Sequence, residues 1–150
     1  GDVFVFVFFG LVGVLGTYYL QTNSFDWAII FPACASGFMA VSVLNINNTR
    51  DLEPDRKVGK ITIPVLLGSK GARIYQIILV HLPFLFLSFF ILKTMQSTVL
   101  NSLYLVAYPF FLIIGLAVFK NKAEELDIYL KRMAISSLFL TFLFGIGINL

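Results

Sequence analysis

Charge is scarce in this sequence. Of its 150 residues only 13% are Asp, Glu, Lys or Arg, while 59% are hydrophobic. Soluble domains carry roughly 25% charged and ~45–50% apolar residues. A water-facing globule is therefore excluded, and lipid is the expected solvent. Cysteine is nearly absent too. A lone Cys34 excludes any disulfide within the chain, and its place inside an apolar run suits a small buried packing residue. No zinc-ligand spacing, nucleophile elbow or Gly-rich phosphate loop occurs. Internal repeats and low-complexity linkers are missing as well. No basic stretch precedes the first apolar segment, so a signal peptide is not expected. The first residue is Gly1, and the chain is expected to be a piece of a longer one.

What is present is a set of long uncharged runs. Residues 3–25, 27–49, 74–92, 94–119 and 133–150 contain no Asp, Glu, Lys or Arg. A membrane-crossing helix needs about 20 mainly apolar residues, and all five runs reach the ~17–25 range. Hydrocarbon offers no partner to backbone N–H and C=O groups, so each run is expected to be helical. Val3–Val7 alone favours a strand, but the uninterrupted length overrules it, and the polar alternation of a barrel strand is missing. The expected fold is all-α, a polytopic transmembrane helix bundle. Its five spans lie near 3–21, 27–46, 73–92, 98–119 and 132–150, and a motif loop occupies 47–72.

The connections carry a one-sided charge. Ten of the eleven basic residues fall in the second and fourth connections, and only Lys93 falls elsewhere. By the positive-inside rule the 47–72 loop is cytoplasmic, as is the chain's first residue. Gly10, Gly13 and Gly16 recur every third residue and are expected to let a neighbouring helix approach. Pro32, Pro83 and Pro109 lie inside spans, where neighbours can re-satisfy freed carbonyls. His81 is the lone histidine, within a span; packing or a hydrogen bond to a neighbouring helix is the plain reading, although intramembrane ionisable groups attract attention. Glu124, Glu125 and Asp127 read as a solvated loop between basic flanks.

The loop from Asn45 to Thr62 carries the chemistry. Topology asks for cations there, not acids, yet Asp51 and Asp55 stand four residues apart. On a continuing helix that spacing puts both carboxylates on one face. Pro54 complicates this, and a broken turn is the alternative. With the amides of Asn47 and Asn48 the acids form a set of hard oxygen donors suited to Mg²⁺, which commonly uses one or two carboxylates plus substrate phosphates. Arg50 and Lys60 suit the remaining phosphate oxygens, and Gly59 allows a turn before Lys60. The set reads as a site for a Mg²⁺-bridged diphosphate. Arg56, Lys57 and Lys70 read as solvated cations of the loop.

The full string Asn47-Asn48-x-Arg50-Asp51-x-x-x-Asp55-x-x-x-Gly59-Lys60-x-Thr62 resembles the second aspartate-rich motif of the UbiA-type intramembrane prenyltransferases. It is most similar to the branch that prenylates 1,4-dihydroxy-2-naphthoate on the way to menaquinone. Gly16 to Gln21, Leu67-Gly68 and Leu126 to Arg132 also resemble that branch. The 4-hydroxybenzoate and haem-farnesylating branches lack the Asn-Asn-x-Arg-Asp opening. The resemblance covers nearly the whole chain and matches the carboxyl-terminal half of a nine-helix fold.

The resemblance implies a Mg²⁺-dependent enzyme in the cell's inner (plasma) membrane. It would transfer a polyprenyl group from polyprenyl diphosphate to 1,4-dihydroxy-2-naphthoate with loss of CO2, giving demethylmenaquinone and diphosphate. Asp51 and Asp55 would be the catalytic metal ligands, with Asn47, Asn48, Arg50 and Lys60 at the diphosphate. Tyr18 and Tyr19 could flank an allylic cation or the acceptor through their π faces; anchoring at the interface is the competing reading. The family's first aspartate-rich motif has no match here, so residues 1–150 alone are expected to be inactive. A sibling enzyme with another aromatic acceptor and a membrane transporter are the alternatives. Lipid is an expected partner, nucleic acid is not, and the oligomeric state stays open.

Overall fold

The uncharged runs fold as helices because only helical hydrogen bonding satisfies their backbones in an apolar solvent. The computed structural model describes residues 1–94 and 99–150. Its helices are α1 (Asp2–Thr22), α2 (Trp27–Arg50), α4 (Ile63–Thr94), α5 (Leu100–Lys120) and α6 (Asp127–Asn149), with a short α3 (Leu52–Lys57) between α2 and α4. The five long ones are each long and apolar enough to cross a membrane. No strand occurs among the described residues. The expected start of the fourth span at 98 lies outside the described residues.

Helix α2 is the hub. It packs against α1, α4 and α6, while α5 bridges α4 and α6. Four helices thus close a ring, and α1 lies outside it against α2. The core of the ring is aliphatic and aromatic: Ala35, Met39 and Ile46 from α2, Val80, Phe84 and Leu87 from α4, Phe111 and Ile114 from α5, Met133 and Leu140 from α6. Phe84 meets Phe111 and Tyr108 edge-on, with ring centroids 5.0 Å apart in both cases, a favourable quadrupole geometry. The outer faces carry exposed Phe4, Phe8, Leu92, Ile113 and Phe142, as lipid-facing surfaces do.

Polar side chains also tie the ring together. The Asn45 Nδ2 amide donates to the Ala72 carbonyl at 3.1 Å and to Gln76 Oε1 at 2.8 Å. Gln76 Nε2 donates to Ser42 Oγ at 2.7 Å. All three side chains are fully buried. Such bonds between apolar helices fix register, at roughly 0.6–2 kcal/mol each.

Of the three spaced glycines only Gly10 acts as expected. A Cβ there would lie 2.6 Å from the Ala33 carbonyl oxygen and 2.8 Å from the Gly37 Cα. Gly37 on α2 is its counterpart, where a Cβ would strike the Phe6 ring at 2.6 Å. Gly16 faces open space, and Gly13 meets only the Phe8 carbonyl of its own helix. The middle of α1, Phe6–Leu15, is wound in the wider π form. Its residues therefore do not keep the 3.6-residue spacing that leaves residues three apart near one face.

The prolines differ in consequence. Pro32 lies in the first turn of the α-helical part of α2, where a missing N–H costs nothing. Pro109 opens the α-helical part of α5 after a 3₁₀ stretch, Leu100–Ala107. Pro83 alone is a buried helix-interior proline.

The segment expected as a loop, 47–72, is mostly helical. Residues 47–50 continue α2. The Asp51 N–H donates to the Asn47 carbonyl at 3.0 Å, and the Asp55 N–H to the Asp51 carbonyl at 2.8 Å. Helical hydrogen bonding thus crosses from α2 into α3, although Asp51 itself, at φ −92° and ψ 13°, bends the path. Pro54 falls in the first turn of α3, where it needs no hydrogen bond. The smooth extension and the broken turn are both partly realised, as a bent continuation. α3 then ends on Gly59 at φ +71°. The Lys60 N–H reaches the Asp55 carbonyl at 3.0 Å and the Gly59 N–H the Arg56 carbonyl at 3.2 Å. That is the double bond of a glycine-terminated helix. Thr62 caps α4, its Oγ1 accepting from the Val65 N–H at 3.3 Å. Gly68, at φ +71°, breaks α4 after its first turn.

Candidate functional site

The end of α2 gathers three of the expected residues. Arg50 Nε and Nη2 donate to the two carboxylate oxygens of Asp51 at 2.8 and 2.9 Å. Arg50 Nη2 also donates to Asn47 Oδ1 at 2.9 Å. Arg50 Nη1 donates to Asp127 Oδ1, at the start of α6, at 2.7 Å. One guanidinium thus joins two carboxylates and an amide. Its planar fork matches the two oxygens of Asp51. The hydrogen bond from Arg50 holds the Asp51 carboxyl below the usual carboxylate range, against the opposing effect of burial and with help from the charges of Arg50 and Lys60.

One helical turn on, Asp55 and Lys60 form a second pair. Lys60 Nζ donates to Asp55 Oδ2 at 2.9 Å. Asp55 is buried, at 7% exposure, although it sits on a surface helix. The Gly59 turn folds Lys60 back over it. Asn48 is also buried, at 4%, and takes no part in the bonds of either pair. Tyr18 and Tyr19 are not brought to this cluster. Val5 of α1 lies level with Asn47 across a shared cavity, and Tyr18 is 13 residues further along, towards the other end of α1. Tyr19 is 53% exposed.

Directly beneath Asn47 is an apolar cavity of about 440 Å³. It is lined by Val5, Phe9, Ala40, Val43, Leu44, Asn47 and Leu130, from α1, α2 and α6. It continues through Phe9, Ala40 and Val43 into a second hollow with Ser36, Ser137 and Thr141. Leu138 and Thr141 pass it on towards Gly145 and Asn149, near the far end of α6. An open apolar groove between α1, α2 and α6 thus starts at Asn47 and passes into a hollow on α6 alone.

The donor chemistry can be weighed against a divalent cation. Asp51, Asp55 and the amide oxygen of Asn47 are hard oxygen ligands, which suit Mg²⁺. Among the described residues no group of three or more His, Cys, Asp or Glu surrounds one point. Asp51 and the Asn47 amide oxygen are engaged by Arg50, and Asp55 by Lys60; the set forms no closed protein cage, and it would hold a cation only alongside phosphate oxygens and water.

A scan of known protein families matches residues 1–143 to the UbiA prenyltransferase family. The chain belongs to that family. Over 150 residues, 99% of the chain, it is 43% identical to a 1,4-dihydroxy-2-naphthoate octaprenyltransferase of Haemophilus influenzae, 48% of which is covered. A protein of the same name from Mycobacterium leprae is 47% identical over 81 residues, 53% of the chain and 28% of that protein. The human UbiA prenyltransferase domain-containing protein 1 is 35% identical over 91 residues, 59% of the chain and 26% of that protein. No solved structure matches. This UbiA-family chain thus spans about half the length, or less, of the curated relatives it matches.

Two features of the cluster were not legible in the sequence. Asp127 reads in the sequence as one acid of a solvated loop, whereas it is the first residue of α6. No local signal ties it to Arg50, 77 residues away. Arg73 reads as a loop cation, yet its Nη1 donates to the Val118 carbonyl and, at 2.7 Å, to the Asn121 carbonyl. It thereby caps the end of α5. His81 is exposed; its ring packs edge-on against Tyr108 of α5 at 5.7 Å, as the packing reading expects, while its Nδ1 lies 2.6 Å from the Ile77 carbonyl of its own helix and not of a neighbouring one.

Proposed function

We propose that the whole protein transfers a polyprenyl group from polyprenyl diphosphate to 1,4-dihydroxy-2-naphthoate, releasing diphosphate and CO2. One observation carries the reading. Asn47 is bonded into the carboxylate–guanidinium cluster and also lines the mouth of the apolar groove. A molecule with a polyanionic head and a long hydrocarbon tail has both of its chemistries met at that point. The names of the Haemophilus influenzae and Mycobacterium leprae relatives supply the acceptor and the polyprenyl donor.

Each residue then has a task. Asp51 and Asp55 would hold Mg²⁺, which supplies charge neutralisation to the diphosphate leaving group. Arg50 and Lys60 bind phosphate oxygens no longer balanced by their present carboxylate partners. Asn47 orients the junction of head and tail. The walls of α1, α2 and α6 exclude water from the allylic carbon as its C–O bond breaks. The ring carbon bearing the carboxylate forms the new C–C bond, and the electron pair of the lost C–CO2 bond restores the ring. No electron acceptor takes part, so the immediate product is the hydroquinone form of demethylmenaquinone. Residues 1–150 provide one wall of this site and are inactive alone. The motif end faces the cytoplasm of the plasma membrane.

The test is transfer by the full-length protein with labelled polyprenyl diphosphate. The expected result is dependence on Mg²⁺ and loss of at least about 100-fold in kcat/KM in Asp51→Asn and in Asp55→Asn, a loss of transition-state stabilisation. Wild-type turnover in both variants would overturn the assignment.

A further inference from the structure

We propose that Asp127 is a positioning residue that holds the Arg50 guanidinium over the motif while Asp51 is released to its ligand. The inference rests on the diphosphate reading above and extends it to a residue outside the motif.

The geometry poses a competition. Arg50 has five N–H donors. Nε and one from Nη2 occupy both oxygens of Asp51, at 2.8 and 2.9 Å. The second from Nη2 goes to Asn47 at 2.9 Å, and one from Nη1 goes to Asp127 at 2.7 Å. In this arrangement the Asp51 carboxylate is already neutralised. It can serve a cation only if the fork to Arg50 opens. Opening frees Nε and an Nη2 donor together, on the side where the phosphate would lie.

Asp127 decides what happens to the freed guanidinium. Long arginine side chains turn readily to water, and at the membrane rim they snorkel. The bond to Asp127 is set on a different element, the first residue of α6. It pins Nη1 while Nε and Nη2 exchange one partner for another. Lys131 Nζ lies 3.7 Å from the other oxygen of Asp127. Without Asp127, Arg50 keeps only Asp51 and Asn47, so the fork competes harder with an incoming cation. Both consequences weaken binding of a metal diphosphate. Asp127 is 56% exposed in its side chain, so stability alone gives little reason for the bridge.

The experiment uses the full-length protein in lipid nanodiscs. Binding of magnesium pyrophosphate is measured by titration calorimetry, and KM and kcat for polyprenyl diphosphate are measured alongside. Asp127→Asn is expected to weaken pyrophosphate binding and raise KM about tenfold, with kcat changed less than about threefold. Asp127→Glu is expected to restore most of the affinity. In an Arg50→Gln background, Asp127→Asn is expected to add nothing. Unchanged binding in Asp127→Asn, or an equal loss with and without Arg50, overturns the positioning role. A wild-type protein that binds no magnesium pyrophosphate overturns the parent reading itself, and this one with it.

Discussion

At the scale of single residues the cluster is governed by who neutralises whom. Asp51 is paired with Arg50 through two hydrogen bonds, and its carboxyl is lowered below the ordinary value near ~3.9. The sign follows from linkage. A carboxyl with a lowered folded value contributes its stabilisation above the unfolded value and loses it as pH falls through the folded one. In the metal-free protein Asp51 is therefore expected to protonate at a lower pH than an unpaired aspartate. Infrared difference spectra against Asp51→Asn check this. A carboxylate band that disappears well above pH 4 would contradict the pairing. The pair sits about one-third exposed, so its worth is geometric more than energetic.

At the scale of elements the decisive contact is the close crossing of α1 and α2. Gly10 and Gly37 let the two backbones meet where any Cβ would collide. α1 is otherwise largely exposed, so this crossing holds it in place as one wall of the groove. Gly10→Val in the full-length protein is expected to cost about 1–3 kcal/mol, the usual range for overpacking. Gly16→Val, at a position with open space around it, is expected to cost far less. Thermal unfolding in detergent compares the two, and equal shifts would remove the crossing from the account. A three-residue glycine pattern could not separate these positions, because the π-wound stretch Phe6–Leu15 contains Gly10 and ends just before Gly16, which changes the angular step. The motif segment shows the same limit. Charge and Pro54 point to a loop, while hydrogen bonds from Asp51 to Asn47 and from Asp55 to Asp51 carry the helix through.

At the scale of the whole molecule the basic residues act as a set. The ends of α2 and α5, the starts of α4 and α6 and the segments joining them carry all but one of the Lys and Arg residues. The expected orientation puts that rim in the cytoplasm. Replacing the native cysteines of the full-length protein, Cys34 among them, with Ser and placing single cysteines at Arg56 and Ser24 provides the check. A membrane-impermeant maleimide added outside intact cells is expected to label position 24 and not 56. The reverse pattern would move the motif to the other face and defeat the proposed site.

Composition and run length alone determined the solvent, the five helices and the polar motif at the end of the second. These are local properties: each apolar segment must satisfy its own backbone wherever its neighbours lie. Asn47, Arg50 and Asp51 could be named as a group for the same reason, since one helix turn joins them. The link from Arg50 to Asp127, the Ser42–Gln76–Asn45 interlock and the groove beneath Asn47 were decided only by tertiary structure. Each needs two or three helices at a set rotation and depth, and that setting comes from how the buried faces of α2, α4 and α6 interdigitate. Side chains 31 to 77 residues apart carry no mark of it until the faces are packed.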